Sequence, residues 1–304
     1  MTDLTVVTVL YRSRATLAGT LPSWLGGAEG LPIDFVFVDN APEDGCAELI
    51  AAALPAARYR YLPDTGNPGF ASGANRGVAA ATGEHVLLLN PDVTLTPDAL
   101  STVVKAIAET PEQPIAVGLE MHGAGYTGIA LHPVSLFIDR PAGSPRAPLG
   151  PSGGAAVFPI ALYQRMGGLW EPFFAWGEDA DLALRLTAAG IRTATLDLHL
   201  PHAWGHSVAD DPGLGARRAF LLARNRIMVA LRNLTVPLLV LGAPLAVLAH
   251  LGLALRRIRQ GTLRPFLAGI WAGLREGPAA RRANPGPRFG VRALRTSLHK
   301  GRSR

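Results

Sequence analysis

The residues with the clearest chemical potential stand at the end of an apolar run. Asn90-Pro91-Asp92 follows VLLL directly, and a carboxylate there is well placed for a hard divalent cation that bridges two phosphates. The alternative is that Asp92 only caps a turn after the proline. His202 and His206 share one glycine-containing loop and could bind a metal through imidazole nitrogens, although a single histidine is more often structural. These residue types indicate a cation that serves a phosphorylated substrate.

A glycine-rich stretch, GNPGFASGANRG, precedes that apolar run and opens a helix. Glycines let the backbone approach a ligand closely, and Asn75 and Arg76 add donors near a helix start, where free N–H groups favour anions. The spacing matches neither a Walker loop nor a dinucleotide-binding GxGxxG after the first strand, so an ordinary glycine-rich turn is the alternative. Together with Asp92, the stretch predicts that a nucleotide diphosphate and its metal lie between the two ends.

A third group combines aromatic rings with carboxylates. The stretch MGGLWEPFFAWGEDADLALRL contains four aromatic residues and then three acids: Trp170, Phe173, Phe174, Trp176, Glu178, Asp179 and Asp181. Aromatic faces beside carboxylates are suited to sugar stacking and general base catalysis, and an apolar wall raises the pKa of a carboxylate toward a useful range. Two ordinary alternatives exist, because aromatic residues usually belong to the core and acids in a first helical turn interact with the helix dipole.

The elements that must position these groups alternate between strand and helix. Runs such as LTVVTVL, IDFVFVDN and EHVLLLN are separated by helical segments, which predicts an α/β fold with helices on both faces of a mostly parallel sheet. Ligands of such sheets bind at the carboxyl ends of the strands, where Asp39 and Asp92 both fall. Residues 123–155, rich in glycine and proline, are predicted to form a mobile loop with short strands.

Charge divides the 304-residue chain in two. Residues up to Asp211 carry a net charge of −11, and those from Pro212 onward carry +17 with a single acid. The basic part flanks the apolar segment 236–255, which is about long enough to cross a bilayer but contains two prolines, so a spanning helix and an interfacial hairpin are both open. Basic clusters beside an apolar segment attract anionic lipid, so we expect a membrane surface and not nucleic acid as the partner.

Several motifs occur in a characteristic order over about residues 4–235. VFVDNAPEDG is similar to V-D-N-x-S-x-D-G, with Pro42 in place of serine, and NPGFASGANRGVAAATGEHVLLLNPD is similar to N-x-G-F-x-x-G-x-N-x-G with its following strand. MGGLWEPFFAWGEDADLALRLTAAG departs from its pattern at Leu169 and Trp170, and HAWGHS and ARNRIMVALRN follow. With these motifs the sequence resembles the family 2 glycosyltransferases, which have the GT-A fold, and within them the bacterial rhamnosyltransferase-like branch.

The resemblance implies a role for each matching residue. Asp92 is expected to bind the metal, with His202 as second ligand and His206 as the less favoured choice. Asp179 is the expected catalytic base, with Glu178 as the second candidate. The expected contacts of the nucleotide-sugar are Asp39 at the base, and Asn67, Gly69, Phe70, Asn75, Arg76 and Asn90. The residues expected to border the acceptor or the transferred sugar are Ser152, Gly153, Trp170, Phe174, Trp176 and Asp181.

The implied activity is an inverting, Mg²⁺- or Mn²⁺-dependent sugar transfer from a nucleotide-diphosphate sugar to a hydroxyl of a glycan or polyprenyl-linked acceptor. The first expectation for the donor is dTDP-rhamnose, and a UDP-sugar such as a galactofuranosyl donor is the alternative. Such enzymes serve cell-wall or surface polysaccharide synthesis, so we expect the cytoplasmic face of the plasma membrane, with peripheral or monotopic attachment.

The expected organisation is a GT-A catalytic domain over residues 1–211, a C-terminal helical region over 212–280 and a basic, disordered tail over 281–304. Two other function classes are alternatives to a glycosyltransferase. A sugar nucleotidyltransferase usually carries a glycine-rich, lysine-ended loop after its first strand, and YRSRATLAG is different. A non-catalytic, membrane-bound carbohydrate- or nucleotide-binding protein is the second alternative, although it gives no reason for Asp92, Asp179 and His202.

Overall fold

The computed structural model of this protein describes residues 4–132, 136–203 and 212–298. The strands in this part of the chain are β1 Leu4–Leu10, β2 Ile33–Asp39, β3 Tyr59–Pro63, β4 His85–Leu89, β5 Ile115–Met121, β6 Ala124–His132, β7 Leu136–Pro141, β8 Ala155–Pro159 and β9 Ala194–Pro201. The helices are α1 Arg14–Gly27, α2 Cys46–Ala53, α3 Phe70–Ala80, α4 Ala99–Glu109, α5 Ile160–Arg165, α6 Glu178–Ala188, α7 Pro212–Asn233, α8 Val236–Arg259, α9 Leu263–Arg282 and α10 Val291–Leu298.

The strands form one sheet in the order β3-β2-β1-β4-β8-β5-β6-β7, with β9 paired to β5. The predicted α/β class is confirmed, and the first four strands are parallel as expected. The second half of the sheet is mixed and not mostly parallel, because β8 runs antiparallel to both β4 and β5. Because β8 starts beside the carboxyl end of β4, where Ala155 pairs with Leu89, the turn before β8 lies next to Asn90.

Helices cover both faces of the sheet, as the buried residues show. On one face, Leu21 of α1 and Val103 of α4 pack in the same cluster as Val6. On the other face, Val78 of α3 and Leu182 of α6 pack with Val7. Consecutive residues of β1 therefore serve opposite cores, which is the reason the strand is a continuous apolar run and not an alternating one.

Residues 123–155 are more ordered than the mobile loop with short strands predicted for them. They contain the antiparallel pair β6–β7, and Gly128 has a positive φ of 75° where the chain passes close to Gly150. The guanidinium of Arg140 ties the following turn by donating to the carbonyl oxygens of Arg146 at 2.7 Å and Ser144 at 2.6 Å. Glycine and proline obscured the strand pattern because their positions here serve close contacts and turns.

The C-terminal tail predicted to be disordered is folded as far as residue 298. Phe289 is buried, and its backbone bridges that of Leu234 beside α7. α10 follows it, so an apolar anchor orders a stretch whose composition suggested disorder. Within the described residues, α8 is the one helix long and apolar enough to cross a membrane by length and composition, and only 6% of its most apolar window is buried.

Candidate active site

The metal-binding pair predicted from the sequence is brought together by a backbone contact. Val93 and His202 form an antiparallel bridge, and the amide of Ala203 donates to the carbonyl oxygen of Asp92 at 3.1 Å. As a result His202 Nε2 lies 3.0 Å from Asp92 Oδ1. His206 lies outside the described residues. A carboxylate oxygen and an imidazole nitrogen that converge in this way fit a divalent cation such as Mg²⁺ or Mn²⁺.

A turn at Gly153-Gly154 lies between this pair and the carboxylates of α6. The amide of Asn90 donates to the carbonyl oxygen of Gly154 at 3.0 Å, and a Cβ at Gly154 would lie 3.4 Å from the His202 ring. On the other side, the amide of Gly153 donates to Asp179 Oδ2 at 3.0 Å. A side chain at Gly153 would lie against Asp179 and Phe70, while one at Gly154 would collide with the buried Leu119 at 2.8 Å, so both positions suit glycine.

Glu178 and Asp179 stand at the amino end of α6 after Gly177, whose φ of 121° suits glycine. Asp179 is partly exposed, and its Oδ1 accepts from the amide of Ala180 at 2.7 Å. Glu178 is buried, and its Oε2 has no hydrogen-bond partner among the described residues. The two neighbours therefore differ: one carboxylate faces the cleft, and the other is enclosed.

Both carboxyl groups hold their protons more tightly than an exposed acid does. Burial raises the pKa of Glu178, and the charge of Asp179 raises it further. Burial also raises the pKa of Asp179, and the nearby charge of Asp139 adds to this, while backbone hydrogen bonds from Gly153 and Ala180 oppose it. A carboxylate with a raised pKa is a stronger base, which suits proton abstraction from a hydroxyl.

Asp139 of β7 is a site residue that the sequence analysis missed. Ser152 Oγ donates to Asp139 Oδ1 at 3.2 Å. Burial raises the pKa of Asp139, while the Ser152 hydrogen bond and the nearby His202 lower it, which places the group in the same cleft. The available signal was an acid closing the apolar run LFID, inside a segment predicted to be a loop. Ser152 and Gly153 contact Asp139 and Asp179, and their contact with a sugar or acceptor stays a prediction.

The glycine-rich segment is joined to the aromatic segment before α6. The amide of Ala71 donates to the carbonyl oxygen of Phe174 at 3.1 Å. Gly69 has a φ of 94°, and a Cβ there would lie 2.5 Å from that oxygen, so the position requires glycine on both counts. Asn67 also has a positive φ, 40°. The ring of Phe70 lies 3.6 Å from a Cβ placed on Gly153, so Phe70 reaches the cleft.

The predicted base-binding residue, Asp39, is fully buried at the end of β2. Tyr61 donates its hydroxyl to Asp39 Oδ2 at 2.6 Å, and the amide of Ala41 donates to Oδ1 at 2.9 Å. Arg76 pairs with Asp64 at 2.6 Å on the partly exposed surface nearby. The contacts of Asp39 and Arg76 with a donor remain predictions.

Asp39 also has potential metal-ligand neighbours. The ligand atoms of Asp39, Asp44 and Cys46 lie within 4.8 Å of one another. The Asp44 carboxylate already accepts the amides of Arg14 and Cys46, and burial raises the pKa of the Cys46 thiol, which keeps it protonated. A neutral thiol is a poor ligand for Mg²⁺ or Mn²⁺, so the Asp92–His202 pair stays the predicted metal site.

Asn75 was expected to contact the nucleotide-sugar, and the structure corrects this. Its Oδ1 accepts from the hydroxyl of Tyr163 at 2.7 Å and from the amide of Leu169 at 3.0 Å. Its Nδ2 donates to the carbonyl oxygen of Leu169 and to Glu171. Because two donors and two acceptors fill the capacity of an amide side chain, Asn75 joins α3 to the segment before α6.

The aromatic residues predicted at the acceptor side pack against α7. The guanidinium of Arg217 lies 4.0 Å from the ring centre of Phe174, and Arg218 lies 5.9 Å from that of Trp176. Both rings are partly exposed. Trp170 differs, because Arg232 covers one of its faces at 4.3 Å and it packs in the C-terminal core.

Asn225 of α7 holds the aromatic segment in place and was not selected from the sequence. Its Nδ2 lies within 3.0 Å of the carbonyl oxygens of Phe173, Ala175 and Trp176. Phe174 and Trp176 have positive φ angles of 68° and 65°, which non-glycine residues adopt only when their surroundings impose it. The C-terminal region therefore shapes one wall of the cleft.

Asp181 was expected to border the acceptor, and this expectation is wrong. Its side chain is fully buried and forms ion pairs with Arg185 at 2.8 Å and Arg232 at 2.9 Å. Asn233 donates to it as well, at 2.7 Å. Only the three-dimensional fold distinguishes Asp181, which joins α6 to α7, from Asp179, which faces the cleft.

Comparison with known proteins agrees with this architecture. N-acetylglucosaminyl-diphospho-decaprenol L-rhamnosyltransferase of Mycobacterium tuberculosis is 25% identical over 257 residues, which cover 70% of this chain and 80% of that protein. Succinoglycan biosynthesis protein ExoO of Rhizobium meliloti is 32% identical over 103 residues, and the match covers only 29% of that protein.

Among solved structures, the mannosyltransferase PcManGT from Pyrobaculum calidifontis, in complex with GDP-Man and Mn²⁺, superposes with a TM-score of 0.56 at 20% identity, over 92% of this chain and 78% of that one. GalNAc-T7 with UDP, GalNAc and Mn²⁺ gives a TM-score of 0.59 at 13% identity, over 77% of this chain and 48% of that one. These likenesses confirm the expected fold. The model described as glycosyl transferase family 2 matches residues 5–165, which is more than half of the sequence, and the chain belongs to that family.

Proposed function

We propose that this glycosyltransferase moves a sugar from a nucleotide-diphosphate donor to an acceptor hydroxyl in one displacement with inversion. The observation that supports this most is the arrangement around the Gly153-Gly154 turn. The Asp92–His202 pair lies on one side of the turn. On the other side, Asp179 accepts a hydrogen bond from the amide of Gly153. A phosphate-binding group and a base on opposite sides of an open turn suit attack at a carbon between them.

Asp179 is the proposed base. It is the more exposed of the two neighbouring carboxylates, and its backbone hydrogen bonds hold it in one orientation. As the acceptor hydroxyl attacks the anomeric carbon, Asp179 takes the hydroxyl proton and the bond to the nucleotide diphosphate breaks. Glu178 is the second candidate. It is less favoured because its side chain is buried, so the acceptor hydroxyl has poorer access to it.

Asp92 and His202 are proposed to hold Mg²⁺ or Mn²⁺, which supplies positive charge to the leaving diphosphate when bound. Asn90 precedes Asp92 and is anchored to Gly154 through its amide. On the donor side, the positive φ angles of Asn67 and Gly69 form the kind of strained, glycine-containing backbone that approaches phosphates closely.

The donor proposed first is dTDP-rhamnose, and a UDP-sugar such as a galactofuranosyl donor is the alternative. The support is the mycobacterial relative, which is named as an L-rhamnosyltransferase and aligns over 70% of this chain. That relative acts on a decaprenol-linked substrate, which supports a polyprenyl-linked or glycan acceptor here. The name of the succinoglycan relative also indicates surface polysaccharide synthesis.

We place the enzyme at the cytoplasmic face of the plasma membrane, attached to anionic lipid by its basic C-terminal region. The support is the net charge of +17 from Pro212 onward and the exposed, apolar α8 among those charges.

The test is donor binding by thermal shift and calorimetry, with dTDP- and UDP-sugars, in the presence and absence of Mn²⁺. Native protein is compared with Asp92→Ala, His202→Ala and the matched control Asp98→Ala, an exposed acid at the start of α4. We expect one nucleotide class to stabilise native protein and the control only with Mn²⁺, and neither site variant to respond. Folded native protein that responds to no sugar nucleotide would contradict the proposal.

A further inference from the structure

The C-terminal helices α7 and α9 run side by side in the same direction. Gly269 packs on the carbonyl of Phe220, and Gly277, further along α9, packs on Leu231, further along α7. At Gly273, between them, a Cβ would lie 2.7 Å from a carbonyl oxygen of α7. Residue numbers rise together on the two helices, so the pair is parallel, and glycines allow its close approach.

This pair belongs to the body of the catalytic domain. Arg232 of α7 forms a buried ion pair with Asp181 of α6 at 2.9 Å. Arg224 of α7 pairs with Glu276 of α9 at 3.4 Å. α7 is therefore fixed to the sheet through α6, and α9 is fixed to α7.

α8 must run back along this pair, because it connects the end of α7 to the start of α9. Its 24 residues extend about 36 Å at 1.5 Å per residue, close to the length of the 22-residue α7. At its start, the amide of Thr235 donates to the carbonyl oxygen of Phe289 at 3.1 Å, and in its middle the His250 ring contacts Phe266 of α9 at 6.1 Å. The start and the middle of α8 are thus held by one folded body, and residues 260–262 join its end directly to α9.

This geometry is incompatible with a simple membrane crossing. A spanning helix places its ends on opposite sides of a hydrocarbon layer about 30 Å thick. α7 and α9 would then have to lie in that layer as well, together with the charged pairs of Arg224 and Arg232. Burying such groups in lipid is costly, so α8 must reach the membrane in another way.

One outward face of α8 is apolar from Val240 to Leu255. The exposed fractions are 69% for Val240, 78% for Leu241, 65% for Leu248, 58% for Leu251 and 67% for Leu255. At 100° per residue these positions fall within an arc of about 100° of the helix circumference. Ala249, on the opposite side, is 5% exposed. Residues 240–248 are all exposed, so this part of α8 contacts the protein little, and the apolar face named above has no partner among the described residues.

Charge and aromatic residues surround this apolar face. Arg256 and Arg259 are exposed at the end of α8, and Arg264 is exposed at the start of α9. Trp271 of α9 is 69% exposed. The arginines at the border of this apolar face and the nearby exposed tryptophan are the basic and aromatic flanks by which apolar segments attach to anionic membranes.

We propose that α8 lies flat in one leaflet of an anionic membrane, with its apolar face in the lipid and both ends on the cytoplasmic side, so that the chain does not cross. The proposal rests on the membrane location given under the proposed function and selects between the two attachments that the sequence left open. The aromatic segment that packs against α7 borders the catalytic cleft, so the cleft would then lie beside the leaflet that supplies a lipid-linked acceptor.

The test uses single cysteines, because the only native one, Cys46, is fully buried and makes the native protein a blank. Leu248→Cys lies on the apolar face, Gln260→Cys lies between α8 and α9, and Glu112→Cys is an exposed control in the catalytic domain. Each full-length variant is labelled with a membrane-impermeant maleimide in inside-out membrane vesicles from expressing cells. Purified protein is also labelled with vesicles of phosphatidylcholine alone and of phosphatidylcholine with phosphatidylglycerol.

In intact inside-out vesicles we expect Gln260→Cys and Glu112→Cys to label equally. With purified protein, Leu248→Cys should lose most of its labelling on vesicles that contain phosphatidylglycerol and keep it on phosphatidylcholine alone. Protection of Gln260→Cys until detergent opens the inside-out vesicles would show that α8 crosses the membrane and overturn the proposal. Protection of Leu248→Cys without vesicles, in protein of dimeric mass, would assign the face to a second copy and overturn it too.

The labelling pattern is read without any sugar transfer. An inactive protein with the expected pattern would contradict the proposed activity alone, and an active protein with a protected Gln260→Cys would contradict the flat helix alone.

Discussion

Replacing Asp181 by asparagine tests the division of labour between two acids of α6. Asp181 is fully buried, and its carboxylate receives Arg185 at 2.8 Å, Arg232 at 2.9 Å and Asn233 at 2.7 Å. Asparagine keeps the size of the side chain and removes its charge. Two guanidinium groups are then left in a buried site without their counter-charge, and α7 loses its strongest attachment to α6.

The expected loss of stability is large. Removing one partner from a buried ion pair costs about 3–5 kcal/mol, because the remaining charge is left uncompensated. For a domain of this size, about 1 kcal/mol lowers the melting temperature by roughly 2–4 °C, so Asp181→Asn should melt about 6–20 °C below native protein. The matched control is Asp179→Asn, the same exchange two positions away at the cleft. It should abolish most transfer activity and leave the melting temperature unchanged or higher, because a carboxylate with a raised pKa is no longer held there.

The assay combines urea and thermal unfolding in one detergent with steady-state kinetics on an acceptor. A native melting temperature in Asp181→Asn together with a raised acceptor KM would refute the reasoning. It would show that Asp181 reaches the acceptor, as its position among the aromatic and acidic residues suggested.

Three further outcomes are expected. Asp92→Ala should lower kcat/KM by about 100-fold or more and remove the dependence on Mn²⁺, since metal charge at a leaving group is worth several kcal/mol; unchanged Mn²⁺ titrations would exclude this site. Burial raises the folded-state pKa of Glu178 above its unfolded value, so native stability should fall as pH rises from the unfolded pKa through the folded one. Glu178→Gln should be more stable than native protein above this pH window and show no gain below it. Parallel pH–stability curves of the two proteins would contradict this. Gly69→Ala should lower the free energy of unfolding by about 1–3 kcal/mol, because φ is 94° and the new Cβ would lie 2.5 Å from the carbonyl oxygen of Phe174. Gly153→Ala, whose new Cβ has its nearest contact at 3.6 Å, should lower it less, and urea unfolding measures both.

Strands β1, β2 and β4 were readable because each is buried on both faces. Such strands are continuous apolar runs, and β1, β2 and β4 were all predicted at nearly their observed positions. For residues 123–155 only short strands in a mobile loop were predicted, because the glycines and prolines that serve close contacts in the β6–β7 pair are typical of turns in a single sequence. The ordered tail was missed because one residue, Phe289, supplies the anchor that composition does not reveal.

The same limit applies to the residues of the cleft. Asp92 could be proposed from its place after a buried strand, but its partner His202 comes from a loop more than a hundred residues later. Asp139 was not selected, because its proximity to His202 and Ser152 depends on the pairing of β7. Asn75 was selected for its position in a glycine-rich helix start, yet its amide is filled by Tyr163 and Leu169.

By itself the sequence determined the α/β class, the family, and the residue types available for metal binding and proton transfer. These follow from local quantities: the period of apolar residues, the ends of strands and the order of short motifs. Only the tertiary structure decided which of two acids separated by one residue faces the cleft, and how α8 is held against the protein. Those properties depend on which distant groups desolvate and neutralise a charge, and on where both ends of a helix are attached, and no local pattern encodes either.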